Sequence, residues 1–201
     1  MKFQVRREDP LDYACPVLVL CCFEEKSDEP LLGRFDQALG GTLRAMFQDK
    51  EFTGALNRTA LVRTLGRVAP ERLLLVGLGK EKDFTPERMR QAGGTAAQAL
   101  RSSSVRTAAF FVPEGDAVLR AAMEGFGLGA YSFDCYKTTP EQGPAIEAVD
   151  LLVVEGSPAG DAERIAAEVL RLCEAVRFSR DLVSQPGNVA TPAFLAEKAL
   201  E

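Results

Sequence analysis

The sequence predicts an α/β fold of three layers, αβα, with helices on both faces of a mixed, mostly parallel sheet of about six strands. Three features carry that prediction. Arg72–Lys80 is a continuous apolar run closed by a Gly-x-Gly turn, too short for a lone helix. A run without polar alternation is what a strand needs when both its faces are covered, so it is expected near the centre of the sheet. Strand-like and helix-like patterns then alternate along the chain in the order β-β-α-β-β-α-β-α-β-α. Finally, Thr85-Pro86 and Thr191-Pro192 each read as a helix start, threonine at the cap and proline at the first helical position.

Met1, Phe3 and Val5 alternate with Lys2, Gln4 and Arg6, the pattern of a half-buried strand near an edge. Asp9-Pro10 is a turn signal, and Val17–Phe23 is a second strand, apolar on both faces and therefore interior. Glu24–Pro30 reads as a charged loop. Phe35, Leu39, Leu43, Met46 and Phe47 recur at helical spacing, so one amphipathic helix is expected over Gly33–Gln48, with Gly40-Gly41 inside it. Phe52-Thr53-Gly54 is a turn and Thr59–Leu65 a strand, whose short connection to Arg72 implies an antiparallel neighbour.

The helix opened by Thr85 runs to about Ser102, and Gly93-Gly94 within it would let it lie close on the sheet. Val105–Val112 and Val149–Val154 are strands, and Gly115–Ala130 between them is a helix. Tyr131–Gly143 is a loop holding Tyr-Ser-Phe-Asp-Cys-Tyr-Lys. From Asp161 a long helix carries Ile165, Val169, Leu172, Val176 and Val183 on one stripe to Ser184, outside the core and with the look of a connector. Gln185–Asn188 breaks it, and the last helix begins at Thr191. A terminal helix docked on the domain and a chain cut inside a longer protein fit this ending equally well by pattern alone.

With 46% hydrophobic and 26% charged residues in 201, the chain has the make-up of a soluble globular protein. A formal net charge of -5 argues against nucleic acid as the main partner. Ala14–Phe23 is broken by Pro16 and too short to span a bilayer, and the charged start Met1–Pro10 does not read as a signal peptide. Five cysteines (Cys15, Cys21, Cys22, Cys135 and Cys173) show no metal-finger spacing and read as reduced, mostly buried thiols of a cytoplasmic protein. The chain has no histidine, which removes Ser-His-Asp and Cys-His nucleophiles and histidine-based zinc sites. Carboxylates and lysines remain available for metal or acid–base work.

Val76-Gly-Leu-Gly-Lys80 fails the P-loop pattern, with Leu74 in place of the first glycine and Glu81 after the lysine, and lacks the third glycine of a dinucleotide fingerprint. It reads as a structural turn. Gly125-Phe-Gly-Leu-Gly129 lies late in a helix, so helix packing or fraying is expected there. Tyr131–Lys137, with Asp134 and Lys137 among aromatic anchors, reads as a loop pinned to its own domain, with an interface loop as the alternative. Glu24, Glu25, Asp28 and Glu29 read as a solvated acidic loop, and Lys80 to Asp83 as a solvated turn. No catalytic, cofactor-binding or metal residue is assigned.

Three blocks together resemble the N-terminal part of the cytosolic leucyl aminopeptidase family, dinuclear metallopeptidases. They are Leu74-Leu-Val-Gly-Leu-Gly-Lys80, Gly129-Ala-Tyr-Ser-Phe-Asp-Cys-Tyr-Lys137 and Arg180-Asp-Leu-Val-Ser-Gln-Pro-Gly-Asn-Val-Ala-Thr-Pro192. The third resembles the family's junction between domains, with Ser184 where asparagine is more usual. The resemblance implies a macro-domain-like domain over 1–158, a linking helix and junction over 159–190, and the start of a truncated catalytic domain at 191–201. It implies a hexameric, manganese- or zinc-dependent parent that removes N-terminal residues from peptides. The two metals would be held by carboxylates and a lysine around an Asn-Thr-Asp-Ala-Glu-Gly-Arg-type motif that does not occur here. This chain would then serve packing, assembly or access to the site, and the truncated reading of its ending is favoured. Two other roles follow from the resemblance: an ADP-ribose or nucleotide site of macro type at Gly77-Leu78-Gly79, and a DNA-binding accessory domain.

Overall fold

The computed structural model describes residues 1–24, 29–103, 105–113, 115–138, 145–153 and 159–200. Its strands are β1 (Lys2–Arg6), β2 (Leu18–Phe23), β3 (Thr59–Arg63), β4 (Arg72–Gly79), β5 (Thr107–Val112) and β6 (Ala148–Val153). Its helices are α1 (Pro30–Ala38), α2 (Thr42–Gln48), α3 (Pro86–Arg101), α4 (Asp116–Gly129), α5 (Ala159–Val183) and α6 (Pro192–Leu200). The strands form one sheet in the order β1-β6-β5-β2-β4-β3. Among the described residues only the β3–β4 pair is antiparallel.

The apolar strands are explained by two cores, one on each face. Val19 of β2, Leu74, Val76 and Leu78 of β4, Phe110 of β5 and Leu151 of β6 point to the side covered by α3, α4 and α5. Their neighbours Leu18, Leu20, Leu73, Leu75 and Leu152 point to the side covered by α1 and α2. Successive side chains of a strand face opposite ways, so a strand between two helical layers has no place for a polar residue. β1 shows the complementary case: Phe3 is buried, while Lys2, Gln4 and Arg6 are exposed at the sheet edge.

β4 lies one strand in from the edge, not at the centre; β2 and β5 hold the middle. It is sealed all the same, because helices cover both faces and β3 covers its flank. The single helix expected over Gly33–Gln48 is two. Gly40 and Gly41 take φ of 69° and 84°, left-handed values that stop α1 and start α2. The buried Asp36 carboxylate accepts from Arg44 N at 2.9 Å and so caps α2 from the preceding helix. In the β3–β4 connection, the fully buried Thr64 hydroxyl donates to Pro70 O at 2.6 Å and ties the turn together.

Gly93 and Gly94 bring α3 close to α4, not to the sheet. A Cβ on Gly93 would stand 2.4 Å from Ala122 O, and one on Gly125 1.8 Å from Arg90 O. Gly125 and Gly129 are therefore the other half of one helix crossing, whereas a Cβ on Gly127 would stand 2.5 Å from Cys173 Sγ of α5. Across it Arg90 pairs with the buried Glu124 at 2.8 Å; within α4 Arg120 reaches Glu124 at 3.7 Å, and it also pairs with Glu168 of α5, which Arg164 of the same helix holds at 2.7 Å. The first half of α5 consequently belongs to the core. Ala162, Ile165, Ala166, Val169 and Cys173 are buried in it, so α5 is more than a connector outside it.

Candidate functional site

The Gly77–Gly79 turn is filled by protein. Gly77 lies inside β4, where an added Cβ would meet Ala55 O at 2.0 Å, so its need for glycine is close backbone approach. Gly79, with φ of 73°, makes the turn itself. Gly77 N donates to Arg58 O and Gly79 N to Gly54 O, at 2.8 and 2.9 Å, so neither amide is presented to a phosphate. Lys80 to Asp83 form an exposed turn, in which Asp83 pairs with Arg88 at 3.7 Å. Of the acidic loop, residues 25–28 lie outside the described residues. Among the described residues no three histidine, cysteine or acidic side chains converge as a metal site. No helix among them is long and apolar enough to cross a membrane.

The cysteines differ in surroundings. Cys22 and Cys173 are buried, Cys15 and Cys21 half-buried, and Cys135 exposed. Desolvation pushes the Cys15 and Cys21 thiols up to about 12, so both stay protonated and unreactive near neutrality.

The structure does bring together two of the sequence blocks singled out above. The Tyr131–Lys137 loop packs on the second half of α5. Tyr131 Oη donates to Asp181 Oδ1 at 2.9 Å, and the Arg180 guanidinium lies over the Tyr131 ring, 5.4 Å from its centroid. Arg180 Nη1 also donates to Leu128 O at 3.0 Å, at the end of α4. From the other side Arg101 Nη1 donates to Tyr131 O at 3.1 Å. Tyr136 Oη bonds Gln185 Oε1, next to the break between α5 and α6. Within the loop, the Phe133 and Tyr136 rings pack at a tilt of 58°, and Asp134 is held below the usual carboxylate range by Ser132 and then Lys137. The loop is thus pinned within its own chain, as its aromatic anchors suggested. Arg101, Arg180 and Asp181 as its partners were not legible: Tyr131 and Asp181 stand 50 residues apart with no periodic relation.

Depressions flank this clamp, two of which bear on its surroundings. One, of about 370 Å³, lies between Phe133, Phe178, Leu182, Phe194 and Lys198. The other, of about 610 Å³, runs along α5 past Tyr131, Val176, Ser179, Arg180 and Val183 and is mostly apolar.

Residues 19–140 match the N-terminal domain of the cytosol aminopeptidase family. The chain belongs to that family. Relatives named "Probable cytosol aminopeptidase" include one from Geotalea uraniireducens, 44% identical over 209 residues, and one from Geobacter sulfurreducens, 44% identical over 206 residues. Each alignment covers 100% of this chain and 42% of the relative. This cytosol aminopeptidase domain thus spans about two fifths of the length of the curated relatives it matches. Among solved structures, a mutant of tomato leucine aminopeptidase superposes with a TM-score of 0.85 at 25% identity, covering 100% of this chain and 41% of that one. The bottromycin maturation enzyme BotP shares the fold, with a TM-score of 0.68 at 21% identity over 92% of this chain and 36% of that one.

Proposed function

We propose that this domain is the non-catalytic N-terminal part of a leucyl-aminopeptidase-like, metal-dependent hydrolase that removes N-terminal residues from peptides in the cytoplasm. Its own task is structural: to carry and orient the chain that leads into the catalytic domain. The observation that carries this reading is the clamp. The loop and junction blocks, the two most family-specific stretches, bond to each other at Tyr131–Asp181 and Tyr136–Gln185, where α5 leaves the body of the domain. Residues 1–158 form the body in this reading, 159–190 the linking helix and junction, and 191–201 the start of the catalytic domain.

Two divalent metals, manganese or zinc, would be held by the rest of the polypeptide, where they would supply polarisation of the scissile carbonyl and activation of water. No residue of this chain is assigned to them. A BotP structure described as a complex with Mn supports a metal in proteins of this fold. The parent assembles as a homo-oligomer, a hexamer by family resemblance. The test is hydrolysis of leucine amide with manganese or zinc. The full-length polypeptide turns over and the 201-residue chain does not; turnover intrinsic to the shorter chain overturns the reading.

A further inference from the structure

One apolar stripe runs the length of α5 and meets two different surroundings. Ile165 and Val169 are 2% and 0% exposed against α4 and the sheet. Further along the same stripe Leu172 is 43% and Val183 85% exposed, with Val176 half-buried between them. The apolar groove of about 610 Å³ runs along this second half, and its small residues Ala175 and Ser179 leave room for close approach of another backbone. The groove is held in shape by the Tyr131 clamp at its wall. Arg180, the cation on its rim, is already engaged by the Leu128 carbonyl and the Tyr131 ring. The lining of the groove is mostly apolar, which suits an apolar occupant.

We infer that the groove along Ala175–Val183 seats an apolar segment from the remainder of the same polypeptide, packed helix-fashion on α5. This rests on the reading that a further domain accompanies this one. The stripe is a packing surface where it is covered, and the exposed half continues it without change of register. Relatives have more than half of their length outside the aligned part, since the alignment takes up 42% of them. A body tethered through a junction of a few residues also meets the groove at high effective concentration, which makes it a better-placed occupant than a free partner.

The test compares amide hydrogen exchange over residues 172–183 in the full-length polypeptide and in the 201-residue chain. Exchange slows about tenfold or more in the full-length protein. Val183→Asp sets a charge in open water in the shorter chain and leaves its melting temperature unchanged, yet it restores fast exchange in the full-length protein. Equal exchange in the two wild-type proteins overturns the inference, as does a Val183→Asp variant that stays protected at full length. If the shorter chain is itself protected and sediments as a dimer that Val183→Asp dissociates, the occupant is a second copy and the inference is wrong. Leucine amide hydrolysis on the same full-length sample separates the two proposals. Protection without turnover removes the peptidase reading and leaves the groove assignment, and turnover without protection does the reverse.

Discussion

Tyr131 works through both ends of its side chain: the hydroxyl on Asp181 and the ring under Arg180. Tyr131→Phe removes only the first and should cost about 0.5–1 kcal/mol, the net value of one part-buried hydrogen bond. Tyr131→Ala removes both and should cost about 1–2 kcal/mol, the cation–π contact being added. Urea unfolding of the two variants checks the order; a Phe variant as unstable as the Ala variant would place the whole effect in the hydroxyl. At the same scale the thiols separate by environment. Cys135 is exposed, whereas burial keeps Cys21 and Cys22 protonated. A thiol-reactive dye should therefore label Cys135 in the native protein and Cys21 and Cys22 only after unfolding. Rapid native labelling of Cys22 would contradict the burial of β2.

Between elements, glycine position decides which substitutions are tolerated. Gly125→Ala puts a methyl 1.8 Å from the Arg90 carbonyl oxygen, a backbone atom that cannot turn aside, so α3 and α4 must part. The expected loss is about 3 kcal/mol or more. Gly33→Ala in α1 meets nothing within 4 Å and should stabilise by up to about 1 kcal/mol. Both are read from the urea midpoint at unchanged slope. The α4–α5 contact carries a pH dependence through Glu168, held below its ordinary 4.5 by Arg120 first and Arg164 second. A lowered carboxylate contributes stability that is complete above the unfolded value and lost as pH falls through the folded one. The melting temperature should accordingly fall below pH 4.5, and Glu168→Gln should flatten that decline.

What was legible in the sequence at this scale follows the same physics. Strands sealed on both faces, such as Leu73–Leu78, declare themselves because no polar residue fits. Thr85-Pro86 marks its helix start because the Thr85 side chain accepts from the amide of Arg88 at that cap. The break at Gly40-Gly41 escaped because Phe35, Leu39 and Leu43 keep helical spacing across it, and α2 is capped by a side chain from the helix before. The α3–α4 crossing escaped because a small residue permits close approach without naming what approaches. The clamp loop announced its anchors, Tyr131 and Tyr136, but their partners became visible only once the chain had folded.

At the scale of the whole molecule, the question is whether the sheet offers a ligand site at its strand ends, where α/β proteins commonly bind. At β4 the position is taken, since Gly54–Arg58 sits on Gly77 and Gly79 and uses their amides. The crevice that does stand open, about 410 Å³ between α1 and the ends of β5 and β6, presents Glu8 and Asp9. Its cation Arg34 already pairs with Asp9 at 2.7 Å. That surface repels a diphosphate. Elsewhere Arg6, Arg90, Arg120 and Arg164 are engaged by carboxylates, and the net charge is -5, a balance that disfavours a nucleic acid backbone. Calorimetric titration with ADP-ribose should give no binding heat, and duplex DNA should not retard the protein in a gel shift at low salt. Saturable heat that Gly79→Ala abolishes would reinstate the strand-end site at that turn.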